Sequence, residues 1–163
     1  MSLLHEIHQT RPFRSAAEEV SLGVVRTSAL IRRAVAKVVE PAGITPAQYN
    51  VLRILRGAGT NGLPTLVVRD RLLEEAPGIT RLIDKLERAA LVRRSRSTPD
   101  RRQVICYITP KGLAVLKKLD VVISSADELG ATGLTLKEQR TLIRMLDKVR
   151  ASIRAAADRR RSP

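Results

Sequence analysis

The amino-acid sequence predicts a mainly α-helical fold carrying one small β-hairpin, and three observations lead there. Helix starts are marked by capping boxes, apolar residues recur at helical spacing through most of the chain, and that period changes only near residues 91–108. Ser15-Ala16-Ala17-Glu18, Thr45-Pro46-Ala47-Gln48 and Thr135-Leu136-Lys137-Glu138 all match the capping box. In it the Ser or Thr oxygen accepts the amide of the third helical residue, while Glu or Gln reaches back to the cap residue's own amide. Pro46 stands at the first helical position, where a missing N–H costs nothing, and Thr109-Pro110 repeats that arrangement.

From these starts a long first helix is predicted over 16–39, ended by Glu40-Pro41-Ala42-Gly43. A second spans about 46–56, with Val51, Leu52, Ile54 and Leu55 on helical spacing and Gly57 closing it. Short helices follow near 64–73 and 77–89. Leu91-Val92-Arg93-Arg94 and Val104-Ile105-Cys106-Tyr107-Ile108 read as two short strands, with Ser97-Thr98-Pro99-Asp100 supplying turn chemistry between them. A helix from Pro110 to about Glu128 and a last one over about 135–157 complete the chain. The last carries an apolar stripe of Leu136, Leu142, Ile143, Leu146, Val149 and Ile153.

Helix, tight turn, helix, hairpin is the order of a winged helix-turn-helix, here flanked by long terminal helices. The organisation expected is a flexible segment over 1–14, an N-terminal dimerisation helix over 15–43, a winged helix-turn-helix over 44–109, C-terminal dimerisation helices over 110–157 and a basic tail over 158–163. The central part is too small to need the long helices for its own core. Their apolar stripes call for a partner, and the economical partner is a second copy of the chain.

Charge narrows the function. Thirty Lys plus Arg stand against 16 Asp plus Glu, a formal net of +14, which points to a polyanionic partner. A membrane role is not expected, because no apolar run approaches the ~18–20 residues of a spanning helix. Met1 to Arg14 lacks the layout of a secretory signal, so a cytoplasmic protein is expected. Phe13, Tyr49 and Tyr107 are the sole aromatics, too few for a base-stacking platform, which favours duplex over single strands.

In a helix-turn-helix the second helix enters the major groove and its N-terminal residues meet base edges. In the stretch Pro77 to Leu86, the residues Ile79, Leu82, Ile83 and Leu86 bury one face, leaving Gly78, Thr80, Arg81 and Lys85 on or beside the other. Thr80 can bond a base or stack its methyl on thymine, and Arg81 can take guanine O6 and N7 or clamp a phosphate. Pro77 and Gly78 keep the helix start slim. A plain solvated face is the alternative, with Asp84 and Glu87 forming ion pairs along the helix. The hairpin favours the nucleic-acid reading. Arg93, Arg94, Arg96, Arg101 and Arg102 face one acid, Asp100, and a turn so charged needs an anion such as a narrow minor groove. Asp100 is expected to pair with a turn arginine and brace the loop.

These residues resemble the MarR (multiple antibiotic resistance regulator) family of winged helix-turn-helix regulators. Asp100 to Thr109 follows the family's wing signature, D-x-R, five residues, then L-T, and Pro110-Lys111-Gly112 opens the next helix in the typical way. Thr80-Arg81-Leu82-Ile83-Asp84-Lys85-Leu86-Glu87 resembles the recognition helix, and Ile44-Thr45-Pro46-Ala47-Gln48-Tyr49 the family's second helix. The resemblance implies a homodimer on a pseudo-palindromic operator in double-stranded DNA. Gly78, Thr80 and Arg81 would face the major groove, Arg101 or Arg102 would enter the minor groove, and Asp100 would brace the wing. It also implies repression, with release of DNA by a small phenolic or lipophilic effector bound between the dimer and DNA-binding regions. Two departures stand out. Ala90 occupies a place where the family often has Gly, so a less sharp helix end is expected. Leu73-Glu74-Glu75 puts two acids in the turn, close to the expected DNA face.

Other classes fit poorly. Gly57 to Gly62 matches G-x-G-x-x-G with Asp84 downstream, but a dinucleotide loop follows a strand and this one follows a capped helix. No catalytic motif is found, so no enzyme and no cofactor is expected. His5 and His8 are too few for a metal site, and Cys106 reads as an inert packed thiol in an apolar strand. A non-sequence-specific binder of DNA or RNA is the alternative, since net charge supports it equally.

Overall fold

A computed structural model of the chain describes residues 2–74, 78–97, 100, 102–131 and 133–161. Two compact units are present, Met1–Ser124 and Ser125–Pro163. The first holds α1 (Leu3–Glu6), α2 (Ala16–Val39), α3 (Pro46–Gly57), β1 (Leu63–Pro64), α4 (Thr65–Asp70), α5 (Ile79–Arg88), β2 (Val92–Arg96), β3 (Val104–Ile108) and most of α6 (Pro110–Ala131). The second holds the end of α6 and all of α7 (Leu136–Arg161). This is the mainly helical winged helix-turn-helix that the sequence predicts.

The capping boxes show how closely local chemistry sets the helix starts. At α3 both halves form: Thr45 Oγ1 accepts the Gln48 amide at 3.3 Å and Gln48 Oε1 accepts the Thr45 amide at 2.9 Å. The same exchange joins Thr135 and Glu138 ahead of α7, at 3.4 and 2.7 Å. At α2 it is half formed. Ser15 Oγ accepts the Glu18 amide at 3.2 Å, but Glu18 reaches one residue further back and takes the Arg14 amide at 2.7 Å together with its guanidinium.

The core lies where α3, α4 and α5 meet the sheet and the first turns of α6. Val51, Leu52, Leu55, Val68, Ile83, Leu86, Cys106 and Leu116 are each fully buried there. Strand β3 is central, pairing antiparallel with β2 from Arg96↔Val104 to Val92↔Ile108 and with β1 at Leu63↔Cys106 and Pro64↔Ile105. The sequence pattern does not predict β1, because two residues carry no period. Nor does it predict the single turn of α1, whose Glu6 accepts an ion pair from Arg26 of α2 at 2.8 Å. Helix α4 is shorter than the predicted 64–73, and α7 runs to Arg161, into the predicted tail.

Helix α5 ends sharply in spite of Ala90. The Leu91 amide donates to the Leu86 carbonyl at 2.9 Å and the Ala90 amide to Glu87 at 2.8 Å, a complete Schellman motif with Ala90 in the left-handed region at φ 57°. Leu91 and Leu86 are both buried, supplying the apolar contact that accompanies the motif. A side chain at that φ costs roughly 1–2 kcal/mol, partly offset because glycine also loosens the unfolded chain. Ala90→Gly is therefore expected to raise the unfolding free energy by about 0.5–1 kcal/mol in urea titrations. A fall would mean that the motif does not hold in solution.

Candidate nucleic-acid interface

Helix α5 sorts its residues cleanly. Ile79, Ile83 and Leu86 are buried and Leu82 half-buried, while Gly78, Thr80, Arg81 and Lys85 are exposed on the other side. Gly78 caps the helix at φ 92°, a backbone conformation that side chains rarely adopt, and its carbonyl accepts the Leu82 amide at 3.2 Å. Pro77 lies outside the described residues. Among the described residues neither Arg81 nor Lys85 has an ion-pair partner, because the acids predicted to pair along the helix are engaged elsewhere. Asp84 and Glu87 both pair with Arg94 of β2, Asp84 at 2.7 Å and Glu87 through Nε at 2.9 Å.

The wing arginines divide by partner. Arg93 stacks its guanidinium 3.9 Å from the ring centroid of Tyr107, its cross-strand neighbour. Arg94 is the ion-paired residue just described. Arg96 and Arg102 are exposed and have no ion-pair partner among the described residues, and Arg101 lies outside them. The charge surplus of the hairpin is thus smaller than a count of its own residues suggests, since α5 supplies two acids to its base. Among the described residues the Asp100 carboxylate meets no arginine side chain. It accepts the Arg102 backbone amide at 3.0 Å and the Gln103 side-chain amide at 3.1 Å, while the Gln103 amide donates to the Asp100 carbonyl at 2.9 Å.

Arg94 holds the Glu87 carboxyl below the usual carboxylate range, chiefly by hydrogen bonding and also by its charge, against a smaller opposing effect of burial. A lowered folded-state value means this stabilisation is fully present above the unfolded pKa. It is lost only as pH falls through the folded one. The link between α5 and β2 therefore stays intact at neutral pH.

In the turn, Glu74 is paired with Arg32 of α2 at 3.2 Å, so α2 offsets one of the two acids expected near the DNA face; Glu75 lies outside the described residues. The motif Pro110-Lys111-Gly112 also acquires a physical reading that sequence alone did not provide. Lys111 Nζ caps the Ala89 carbonyl at 2.9 Å, Thr109 Oγ1 donates to the Ala90 carbonyl at 2.7 Å, and Gly112 packs directly on the Leu91 carbonyl. These contacts fasten the start of α6 to the end of α5.

Cys106 is fully buried, with its sulfur 3.5 Å from Thr65 Oγ1. Burial pushes its thiol pKa up, more than the Thr65 contact and the charge of Arg94 pull it down. The thiolate is the nucleophile, so a raised value means less of it at any given pH. Cys106 is expected to resist a thiol-specific reagent at pH 8 in the native protein and to react once guanidinium unfolds it. Rapid native labelling would show that the hairpin opens. Among the described residues no group of three or more His, Cys, Asp or Glu could hold a metal, and no helix is long and apolar enough to cross a membrane.

Helix α5 tied to the β2–β3 hairpin, with Arg96 and Arg102 exposed beyond the tie, defines a winged helix-turn-helix, a class of fold found in DNA-binding proteins. Residues 42–103 match the profile of the MarR family. The MarR transcription factor from Planctomyces limnophilus is 34% identical, with a TM-score of 0.64, covering 83% of this chain and 98% of its own. The chain therefore belongs to the MarR family of transcriptional regulators. The regulator TtmR of Methylorubrum extorquens is 35% identical over 114 residues, 70% of this chain and 56% of TtmR, so this chain spans little more than half of that relative. A mutant MarR from E. coli solved with operator DNA shares the fold at a TM-score of 0.73 and 23% identity, over 91% of this chain and 99% of that one.

Proposed function

We propose that this chain is a sequence-specific regulator that binds double-stranded DNA as a homodimer and represses transcription by occluding its operator. The carrying observation is the set of exposed, unpaired cations on α5 and the wing: Arg81, Lys85, Arg96 and Arg102 have no acid partner among the described residues, whereas the adjacent Arg94 does. On this reading Gly78, Thr80, Arg81 and Lys85 lie in the major groove. Arg96 and Arg102 serve the minor groove or its phosphates, with Arg101 and Pro77 as further contacts, and Asp100 braces the wing through the Arg102 amide. Dimerisation is supported by apolar side chains left exposed on three helices. These include Val20, Val25 and Ile31 on α2, Leu113, Val121 and Val122 on α6, and Leu142, Ile143 and Ile153 on α7. Helix α2 runs 24 residues and fully buries just Val39, an arrangement that suits a helix with a second partner. Release by a small lipophilic effector and action in the cytoplasm complete the proposal.

Selection of bound fragments from random and genomic duplexes at near-physiological salt tests it. Enrichment of a pseudo-palindrome with half-sites about one helical turn apart is expected from two recognition helices related by a two-fold axis. The net charge of +14 favours one competing reading, a bulk nucleic-acid binder. That reading gains if no sequence is enriched and binding collapses as salt rises.

A further inference from the structure

Arg94 stands where the two halves of the interface meet. Its guanidinium bridges Asp84 and Glu87, which lie one turn apart on the recognition helix, and its backbone amide donates to Glu87 Oε1 at 3.0 Å. Glu87 therefore grips both the side chain and the main chain of β2. The neighbouring Arg93 stacks on Tyr107, so consecutive residues secure the two faces of the strand. Beyond this point support for the hairpin thins. Strand β1 pairs with Cys106 and Ile105 and the Thr65 hydroxyl donates to the Val104 carbonyl at 3.2 Å, so among the described residues the stretch past Arg96↔Val104 is a two-stranded ribbon, joined by the Ser97 amide on the Gln103 carbonyl at 3.0 Å. Such a ribbon is marginally stable by itself, so its angle is set at its base.

We propose that Arg94 is a positioning residue that makes the recognition helix and the wing one rigid reader of DNA, in addition to neutralising two acids beside the groove. The inference rests on the DNA-binding reading above. With the link in place, seating Arg81 in the major groove brings Arg96 and Arg102 to the minor groove at no further ordering cost. Without it the wing must find its site separately, and the loss falls on the selected sequence more than on bulk DNA, where register does not matter.

The test is the ratio of dissociation constants for a scrambled and a selected duplex, read by fluorescence anisotropy. A wild-type protein that binds both equally removes the DNA reading itself, a failure visible before any variant is made. With wild-type specificity established, R94Q is expected to lower the ratio about tenfold, within the range of coupling between residues of one salt-bridge network. That variant also bares two carboxylates. The neutral set D84N/E87Q/R94Q removes that repulsion, and it is expected to bind scrambled DNA at least as well as wild type yet keep the lowered ratio. Restoration of the wild-type ratio by the neutral set overturns positioning and leaves charge masking alone. Should the neutral set not fold by circular dichroism, the reversed set D84N/E87R/R94E decides, since it rebuilds the link with opposite signs. Recovery to within about threefold of the wild-type ratio supports positioning, and a folded protein as impaired as R94Q overturns it.

Discussion

Gly112→Ala is expected to destabilise the protein by about 3 kcal/mol, at the upper end of overpacking costs, and to lower its thermal midpoint by about 10 °C for a domain of this size. A Cβ at this position would sit 2.4 Å from the Leu91 carbonyl oxygen and 2.8 Å from Ile108 Cγ1. Neither neighbour can yield easily. The Leu91 carbonyl accepts the Thr109 amide at 3.1 Å, and the Leu91 amide closes the Schellman motif on Leu86. The Gly112 amide itself donates to Thr109 Oγ1 at 3.0 Å, so the start of α6 would have to move as a whole, away from both Ala90 and Leu91. Gly57→Ala is the matched control. That glycine lies in the last turn of α3 with nothing within 4 Å of an added Cβ, and the substitution is expected to leave the midpoint unchanged or slightly raised. Equal melting of the two variants would mean that the α5–β2–α6 junction is looser than its geometry.

That junction also marks the limit of what the sequence made legible. Elements announced by local chemistry were readable: Pro46–Gly57 behind its capping box, Ala16–Val39 behind Ser15, and Val104–Ile108 as an apolar strand. The buried face of α5 was readable for the same reason, because Ile79, Ile83 and Leu86 repeat at helical spacing. What could not be read depends on residues far apart in the chain meeting in space. Asp84 has Arg81 three residues before it and Arg88 four after, so local spacing predicts a pair there, and Glu87 has no basic residue at either spacing, whereas the fold brings up Arg94 from the next strand to both. A guanidinium that can take two carboxylates at once outcompetes single pairs on an open helix face. The left-handed residue at Ala90 was hidden because Ala is an ordinary helix former. Its position is decided by burial of Leu91 against Leu86, which outweighs the local penalty.

Arg81→Ala should weaken binding to the selected operator by about 2–6 kcal/mol, since a bidentate arginine–guanine contact is worth about 1–3 kcal/mol and a dimer makes it twice. Arg81 is exposed in the first turn of α5, its Cδ 3.9 Å from the place of a Cβ on Gly78, so the side chain lies against the slim helix start. That placement aims it forward, past the helix N-terminus, the end proposed to enter the major groove. The distinguishing signature is where the loss falls. A base contact loses discrimination at one symmetric pair of operator positions, while affinity for scrambled duplex changes little. Arg102→Ala serves as the contrast: a wing arginine held by its backbone amide on Asp100 is expected to lower affinity on all sequences and to flatten the salt dependence by about one counterion per protomer. An Arg81→Ala loss that is uniform across sequences would reassign Arg81 to a phosphate. Specificity would then rest on Thr80, whose hydroxyl and methyl are the other exposed readers on the first turn of α5.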